Sequence, residues 1–214
     1  MTRADYTFTD ISRYNDSSIF EEAYNSLSRW RKERIDRLKT GRSRLLSLGA
    51  GILFDEAMRK RGLDPDRLVI AASANGRPFL PDHPDIHFSL SHSGNMAMCA
   101  VSEKNVGCDI QIIDERRLSA AQKAFSAEET EIFEKLDKTG RTAFFYRVWV
   151  LKESLAKADG RGLAFPMKTV SVMISADSCA EEAGSEGWLY RLQEVPAPEG
   201  YRAALCIQSG KKEI

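Results

Sequence analysis

Glu153 and Lys157 stand four residues apart in the run Trp149-Val150-Leu151-Lys152-Glu153-Ser154-Leu155-Ala156-Lys157-Ala158-Asp159-Gly160-Arg161-Gly162-Leu163. Side chains four apart on a helix project from one face, so a carboxylate and an ammonium share a turn. Trp149, Leu151 and Leu155 supply apolar anchoring, and Gly160 and Gly162 allow the turn that ends the helix. Taken alone, this is an exposed helical ion pair. A second acid alters that reading. Asp109 lies in Val106-Gly107-Cys108-Asp109-Ile110-Gln111, whose apolar/polar alternation predicts a strand. A strand carboxylate meeting a helix carboxylate suits a hard cation such as Mg²⁺, which prefers oxygen ligands.

The elements that must position these groups are legible in outline. A short strand is expected around Tyr6 to Phe8. Residues 16 to 38 read as an amphipathic helix carrying Ile19, Phe20, Tyr24, Leu27 and Trp30 on one side. A second helix is expected from about Ser43 to Arg61. Gly49 and Gly51 weaken it unless something packs closely there. Strands are expected at Leu68 to Ala72, Ile86 to Leu90, Met96 to Ser102 and Val106 to Ile112. Asn75-Gly76-Arg77-Pro78 reads as a turn, and Ser91-His92-Ser93-Gly94-Asn95 as a hairpin loop. Ser126-Ala127-Glu128-Glu129 reads as a capping box that opens a helix. A loop at Lys138 to Arg141 then leads into a helix over Thr142 to Ala158. Strands at Thr169 to Ser175, Gly187 to Gln193 and Tyr201 to Gln208 close the chain. This order predicts an α+β fold that uses one plan twice.

The chain has 214 residues, with 31 basic and 31 acidic side chains in balance. Balance argues against a generic nucleic-acid binder, although eight basic residues fall between Arg29 and Arg44. Cys99, Cys108, Cys179 and Cys206 are scattered and form no CxxC pair, which argues against both a zinc site and a disulfide framework. No apolar run approaches the ~18–20 residues needed to cross a bilayer, and the first residues lack a targeting pattern. A cytoplasmic enzyme or binding protein, with no nucleic-acid or membrane partner, is the expectation.

Five stretches taken in order resemble the Sfp-type 4′-phosphopantetheinyl transferases. That family's pattern is GKP, an SHS loop, GxDIE, FSxxE and WxxKESxxKxxGxGL. This chain has Gly76-Arg77-Pro78, Ser91-His92-Ser93, Gly107-Cys108-Asp109-Ile110-Gln111, Phe125-Ser126-Ala127-Glu128-Glu129 and Trp149 through Leu163. The match covers roughly residues 28 to 175.

The resemblance implies transfer of the 4′-phosphopantetheine arm of coenzyme A to a serine of an apo acyl or peptidyl carrier protein. The reaction releases 3′,5′-ADP and depends on Mg²⁺. It implies two similar α+β halves in a pseudo-twofold arrangement, with the active site in the cleft between them. The halves are expected at 1–108, binding coenzyme A, and 109–214, carrying the metal-binding acids. Asp109 and Glu153 match the metal-binding acids, and Glu153 also matches the base for the carrier serine, acting directly or through water. Lys157 matches the lysine at the pyrophosphate, and Lys152 a position facing the phosphates. Ser91 and His92 match the coenzyme A pocket, and Arg77 stands where lysine is usual. Arg31 and Arg34 fit the basic pair at the 3′-phosphate, with Arg44 the nearest match to a further arginine. Gln111 replaces the family's third metal-binding acid by a neutral amide, implying weaker metal affinity. Chains of this length carry both halves, implying a monomer. Ile132, Phe133, Phe144 and Phe145 are candidates for docking the carrier. The alternative is a catalytically degenerate protein that binds coenzyme A or a carrier without chemistry.

Overall fold

The computed structural model describes residues 4–172, 180–185 and 187–211. The elements in chain order are β1 (Asp5–Asp10), α1 (Ser17–Asn25), α2 (Arg29–Asp36), α3 (Gly41–Lys60), β2 (Ala71–Ala72), β3 (Pro78–Phe79), β4 (His87–Ser93), β5 (Met96–Ser102), β6 (Val106–Ile112), α4 (Ala121–Ala124), α5 (Ala127–Lys135), α6 (Lys138–Asp159), β7 (Ala180–Ser185), β8 (Trp188–Val195) and β9 (Tyr201–Lys211). β1, β5 and β4 form one antiparallel sheet in that order, and β6, β9, β8 and β7 form another.

Strand alternation explains the layering. In β5, Ala97, Cys99 and Val101 join the core under α3, with Leu48, Leu53, Phe54 and Met58. Its other face, Met96, Met98 and Ala100, meets Val106, Cys108 and Ile110 of β6 and Ala203 and Leu205 of β9. The opposite face of β9, Ala204 and Cys206, packs on Val150, Leu151, Leu155 and Ala158 of α6. The layers are therefore α3, first sheet, second sheet, α6. Each half is a long helix on an antiparallel sheet, the expected pseudo-twofold α+β plan. All of β6 pairs with β9, from Val106 opposite Ile207 to Ile112 opposite Tyr201, so residues 106–108 belong to the second sheet.

Two glycines set close approaches. A Cβ on Gly49 would lie 2.4 Å from Ile11 Cγ2, so the helix-weakening glycine lets α3 sit directly on the first sheet. A Cβ on Gly107 would lie 1.9 Å from the Ser154 carbonyl oxygen. Only glycine lets β6 lie flush on α6, and this contact brings Asp109 to the helix that carries Glu153 and Lys157.

Several boundaries differ from expectation, each for a local reason. The helix expected over 16–38 is two helices. Asp55 holds the break by accepting from the Ser28 N–H at 2.7 Å and the Ser28 hydroxyl at 2.9 Å. Ile19 faces solvent. Residues 138–141 are the first turn of α6, because the Asp137 side chain caps the Gly140 N–H. The strand expected at 68–72 is only Ala71–Ala72. Ser91, His92 and Ser93 belong to β4, and the hairpin turn is Gly94-Asn95 alone, with Gly94 at φ +53°. Of the strand expected at 169–175, the described part holds a 3₁₀ turn over Met167–Thr169 and no strand, and 173–175 lie outside the described residues. Cys179 lies outside them too. The capping box is present, with Ser126 and Glu129 reciprocally bonded. Among the described residues, no helix is long and apolar enough to cross a membrane.

Candidate active site

Between the halves lies a cavity of about 860 Å³, lined from α2, α3, the Gly76 turn, β4, α6 and the 162–169 segment. Its floor is built by α6, through Glu153, Ala156 and Lys157, with β6 packed behind it. Asp109 is 2 % exposed. The Lys157 Nζ donates to Asp109 Oδ1 at 2.7 Å, to the Ser91 hydroxyl at 2.9 Å and to the Cys108 carbonyl at 2.9 Å. Burial by itself would lower the lysine's pKa. The charge and hydrogen bond of Asp109, with Cys108 and Glu153, together outweigh it, and the ammonium is held above its ordinary value. Glu153 borders the same cavity and has no hydrogen-bond partner among the described residues. Burial, and then repulsion from Asp109, raise its carboxyl above the ordinary range, against the pull of Lys157.

The opposite wall is cationic. Arg31 is 1 % exposed, yet no carboxylate pairs with it among the described residues; its Nη2 donates to the Ser47 carbonyl at 2.8 Å. Its Nε and the Ser47 hydroxyl are both buried without a partner among the described residues. Burial, then Arg34, lowers the Arg31 pKa to about 10. A Cβ on Gly51 would lie 2.8 Å from Arg31 Nε, so that glycine makes room for the guanidinium. Arg34 is exposed on the cavity wall and forms no ion pair among the described residues. His92 completes the wall from β4. Its imidazole is held below the ordinary value, chiefly by desolvation, with Lys157 and Arg34 adding to the effect.

The structure therefore gathers Glu153, Lys157, Arg31, Arg34 and His92 around one space, with Asp109 buried directly behind Lys157. Five other expected site residues sit differently. Lys152 is 0 % exposed and points away from the cavity. Its Nζ donates to Glu129 Oε2 at 2.5 Å and to the carbonyls of Ala124 and Met167, which exhausts its three N–H groups. Arg44 is not on the cavity wall; it faces Asp36 at 3.9 Å and lies over the Phe20 ring. Arg77 borders the cavity, but its guanidinium ties the Gly76 turn to the Ala158 carbonyl at 2.8 Å and the Val106 carbonyl at 3.3 Å. The Ser91 hydroxyl points at Asp109 rather than into the pocket. Gln111 turns its amide nitrogen to Asp109 Oδ2 at 3.1 Å and its carbonyl to the Ser93 hydroxyl, so it braces the acid instead of offering a third oxygen. Of the apolar docking candidates, Phe145 is core, Phe133 and Phe144 pack against it, and Ile132 is exposed. Ser47, Lys123 and Lys168 line the cavity and went unrecognised in the sequence, since none lies in a motif.

Among the described residues no cluster of three or more His, Cys, Asp and Glu side chains forms a metal site. Two carboxylates that repel each other, Asp109 and Glu153, nevertheless fit a divalent cation that keeps most of its water.

A family model described as the 4′-phosphopantetheinyl transferase superfamily matches residues 105–206. A 4′-phosphopantetheinyl transferase from Bacillus subtilis is 32 % identical over 162 residues, covering 74 % of this chain and 71 % of its own. The chain belongs to the 4′-phosphopantetheinyl transferase superfamily. The 4′-phosphopantetheinyl transferase Sfp of Bacillus subtilis (strain 168) is likewise 32 % identical, over 74 % of this chain and 71 % of its own. The 4′-phosphopantetheinyl transferase HetI of Nostoc is 27 % identical over 77 % of this chain and 70 % of its own. As a phosphopantetheinyl transferase, the chain is an enzyme, and the family-model match begins at the residue before β6 and ends inside β9, spanning both Asp109 and Glu153.

Proposed function

We propose that this transferase moves the 4′-phosphopantetheine arm of coenzyme A onto a serine of an apo acyl or peptidyl carrier protein, with Mg²⁺, releasing 3′,5′-ADP. One observation carries the reading: a cavity between the halves sets two cations without an ion-pair partner among the described residues, the buried Arg31 and the exposed Arg34, across from Glu153 and Lys157. Coenzyme A has matching parts, an anionic nucleotide end and a pyrophosphate next to the bond that breaks.

In this reading Arg31, Arg34, Ser47 and His92 hold the 3′-phosphate end. The unpartnered Arg31 Nε and Ser47 hydroxyl are donors in want of an acceptor. Lys157 presents positive charge at the pyrophosphate. Glu153, with its raised pKa and free oxygens, takes the proton from the carrier serine. The serine oxygen forms a bond to the β-phosphorus as the bridging bond to the α-phosphate breaks, and the electron pair leaves with 3′,5′-ADP. Asp109 and Glu153 would hold Mg²⁺, which neutralises pyrophosphate charge when bound. The first half supplies the nucleotide wall and the second the acids, and the enzyme acts as a cytoplasmic monomer. A single-chain sedimentation coefficient tests the last point.

Intact mass of an apo carrier incubated with the enzyme, coenzyme A and Mg²⁺ tests the activity. A gain of about 340 Da, the mass of the transferred arm, is expected, and its loss in Glu153→Ala. Binding of coenzyme A with no gain on any acyl or peptidyl carrier would instead identify a degenerate binding protein.

A further inference from the structure

β4 and β6 belong to different sheets, yet they run side by side. No backbone ladder joins them. Instead, three alternate serines of β4 accept three alternate N–H groups of β6. Ser89 Oγ takes the Cys108 N–H at 3.0 Å, Ser91 Oγ takes the Ile110 N–H at 3.3 Å, and Ser93 Oγ takes the Ile112 N–H at 3.0 Å. The offset is 19 residues each time. β6 is the edge strand of its sheet, and its outward donors would be unsatisfied without these hydroxyls. All three serines are buried, which is unusual for serine and is explained by this pairing.

The middle hydroxyl does more than its neighbours. Ser91 Oγ also donates to Asp109 Oδ1 at 2.7 Å and accepts from the Lys157 Nζ at 2.9 Å. A hydroxyl has one hydrogen and two lone pairs, so Ser91 is fully used and has nothing left for a ligand. We propose that Ser91 is a positioning residue, the middle rung of a hydroxyl seam that joins the two halves and holds Asp109 and Lys157 at the geometry the transfer requires. This rests on the activity proposed above. Ser91 touches no substrate. It acts by fixing the carboxylate and the ammonium against each other and against the β6 backbone.

The experiment compares Ser91→Ala and Ser91→Cys with Ser89→Ala, which removes the same kind of seam bond without touching Asp109 or Lys157. Two readouts are taken: steady-state transfer kinetics, and trace acetylation of Lys157 by acetic anhydride followed by peptide mass spectrometry. Misplacing reacting groups by about 1 Å is enough for roughly a 10²-fold loss. We expect Ser91→Ala to lower kcat by about 10- to 100-fold with little change in KM for coenzyme A, Ser91→Cys to fall between it and wild type, and Ser89→Ala to lose melting temperature with a much smaller change in kcat. Lys157 should acetylate several-fold faster in Ser91→Ala than in Ser89→Ala. Equal kcat losses in Ser89→Ala and Ser91→Ala would overturn the proposal, as would equal acetylation rates. If wild type itself transfers nothing, the activity reading fails, and the Lys157 labelling still decides whether Ser91 holds that lysine. Should Ser91→Ala not fold, Ser91→Cys, which keeps the volume and weakens the bonds, carries both readouts.

Discussion

Lys152 and Lys157 sit on one helix, five residues apart, and each pairs with a carboxylate from another element. Lys152 meets Glu129 with both side chains out of contact with solvent; Lys157 meets Asp109 with the lysine 30 % exposed at the cavity. Their pKa values move in opposite directions. Burial dominates at Lys152 and lowers it, whereas at Lys157 burial is outweighed by Asp109 acting together with Cys108 and Glu153, and the value rises. The Lys152–Glu129 pair is knotted into the fold. Glu129 also accepts from the Ser126 N–H and the Val172 N–H, so the pair ties α5, α6 and the segment beyond residue 165 together. In the Lys157–Asp109 pair the lysine lines the cavity proposed to take coenzyme A, with Asp109 buried behind it. The same residue types become scaffold or machinery according to the face of the helix on which they lie.

Replacing Lys152 with Met breaks the scaffold pair and should have the largest effect on stability. It leaves Glu129 buried and uncompensated, a loss on the order of 3–5 kcal/mol. A urea midpoint lowered by that loss divided by m, with the m-value unchanged, is the expected result. The folded fraction should keep its turnover. Wild-type stability with lost turnover would instead return Lys152 to the site.

Lys157→Met attacks the other member of the comparison. Loss of one charge-stabilising donor is expected to lower kcat by about 10²–10³. Its stability cost should be smaller than that of Lys152→Met, because the Asp109 carboxylate retains the Ser91 and Gln111 hydrogen bonds. Transfer kinetics and urea melts on the two variants side by side test the inversion. If Lys157→Met proves the more destabilising and turns over normally, the two roles must be exchanged.

The two lysines also show how far the sequence could be read. The Glu153–Lys157 spacing and the strand alternation around Asp109 placed those residues, because both are local patterns that the backbone must obey. The motif does not reveal the role of Lys152, because its partner, Glu129, lies 23 residues away and motif position says nothing of which helix face the core claims. Ser91 reads as loop in the sequence, since Ser, Gly and Asn are turn residues by composition. In fact the odd-numbered serines of β4 alternate as strand residues must, with their hydroxyls buried against β6. Polar residues on the buried face of a strand hide the strand signal. Arg44 is the nearest match in sequence to the family's further arginine, but Asp36 and Phe20 claim it. Ser47, a cavity residue, gave no signal at all: a lone serine on an apolar helix face declares itself only when Arg31 is seen beside it.

The smallest expected effect is the sign of stability against pH in the metal-free protein under alkaline conditions. Lys152 has a folded pKa below 10.5. Between that value and 10.5 the unfolded chain binds more protons, so this lysine makes stability rise with pH. Lys157 has a folded pKa above 10.5. Its contribution is whole below the unfolded value and is lost as pH rises through the folded one. Neither slope exceeds about 1.4 kcal/mol per pH unit, the limit for one proton. Urea stability should therefore be measured at intervals from pH 8 upward on wild type, Lys152→Met and Lys157→Met. Lys152→Met should flatten the curve below pH 10.5, and Lys157→Met should leave that window alone and remove a decline above it. If both variants change the same window in the same direction, the two pairs sit in equivalent surroundings and the contrast between scaffold and machinery collapses.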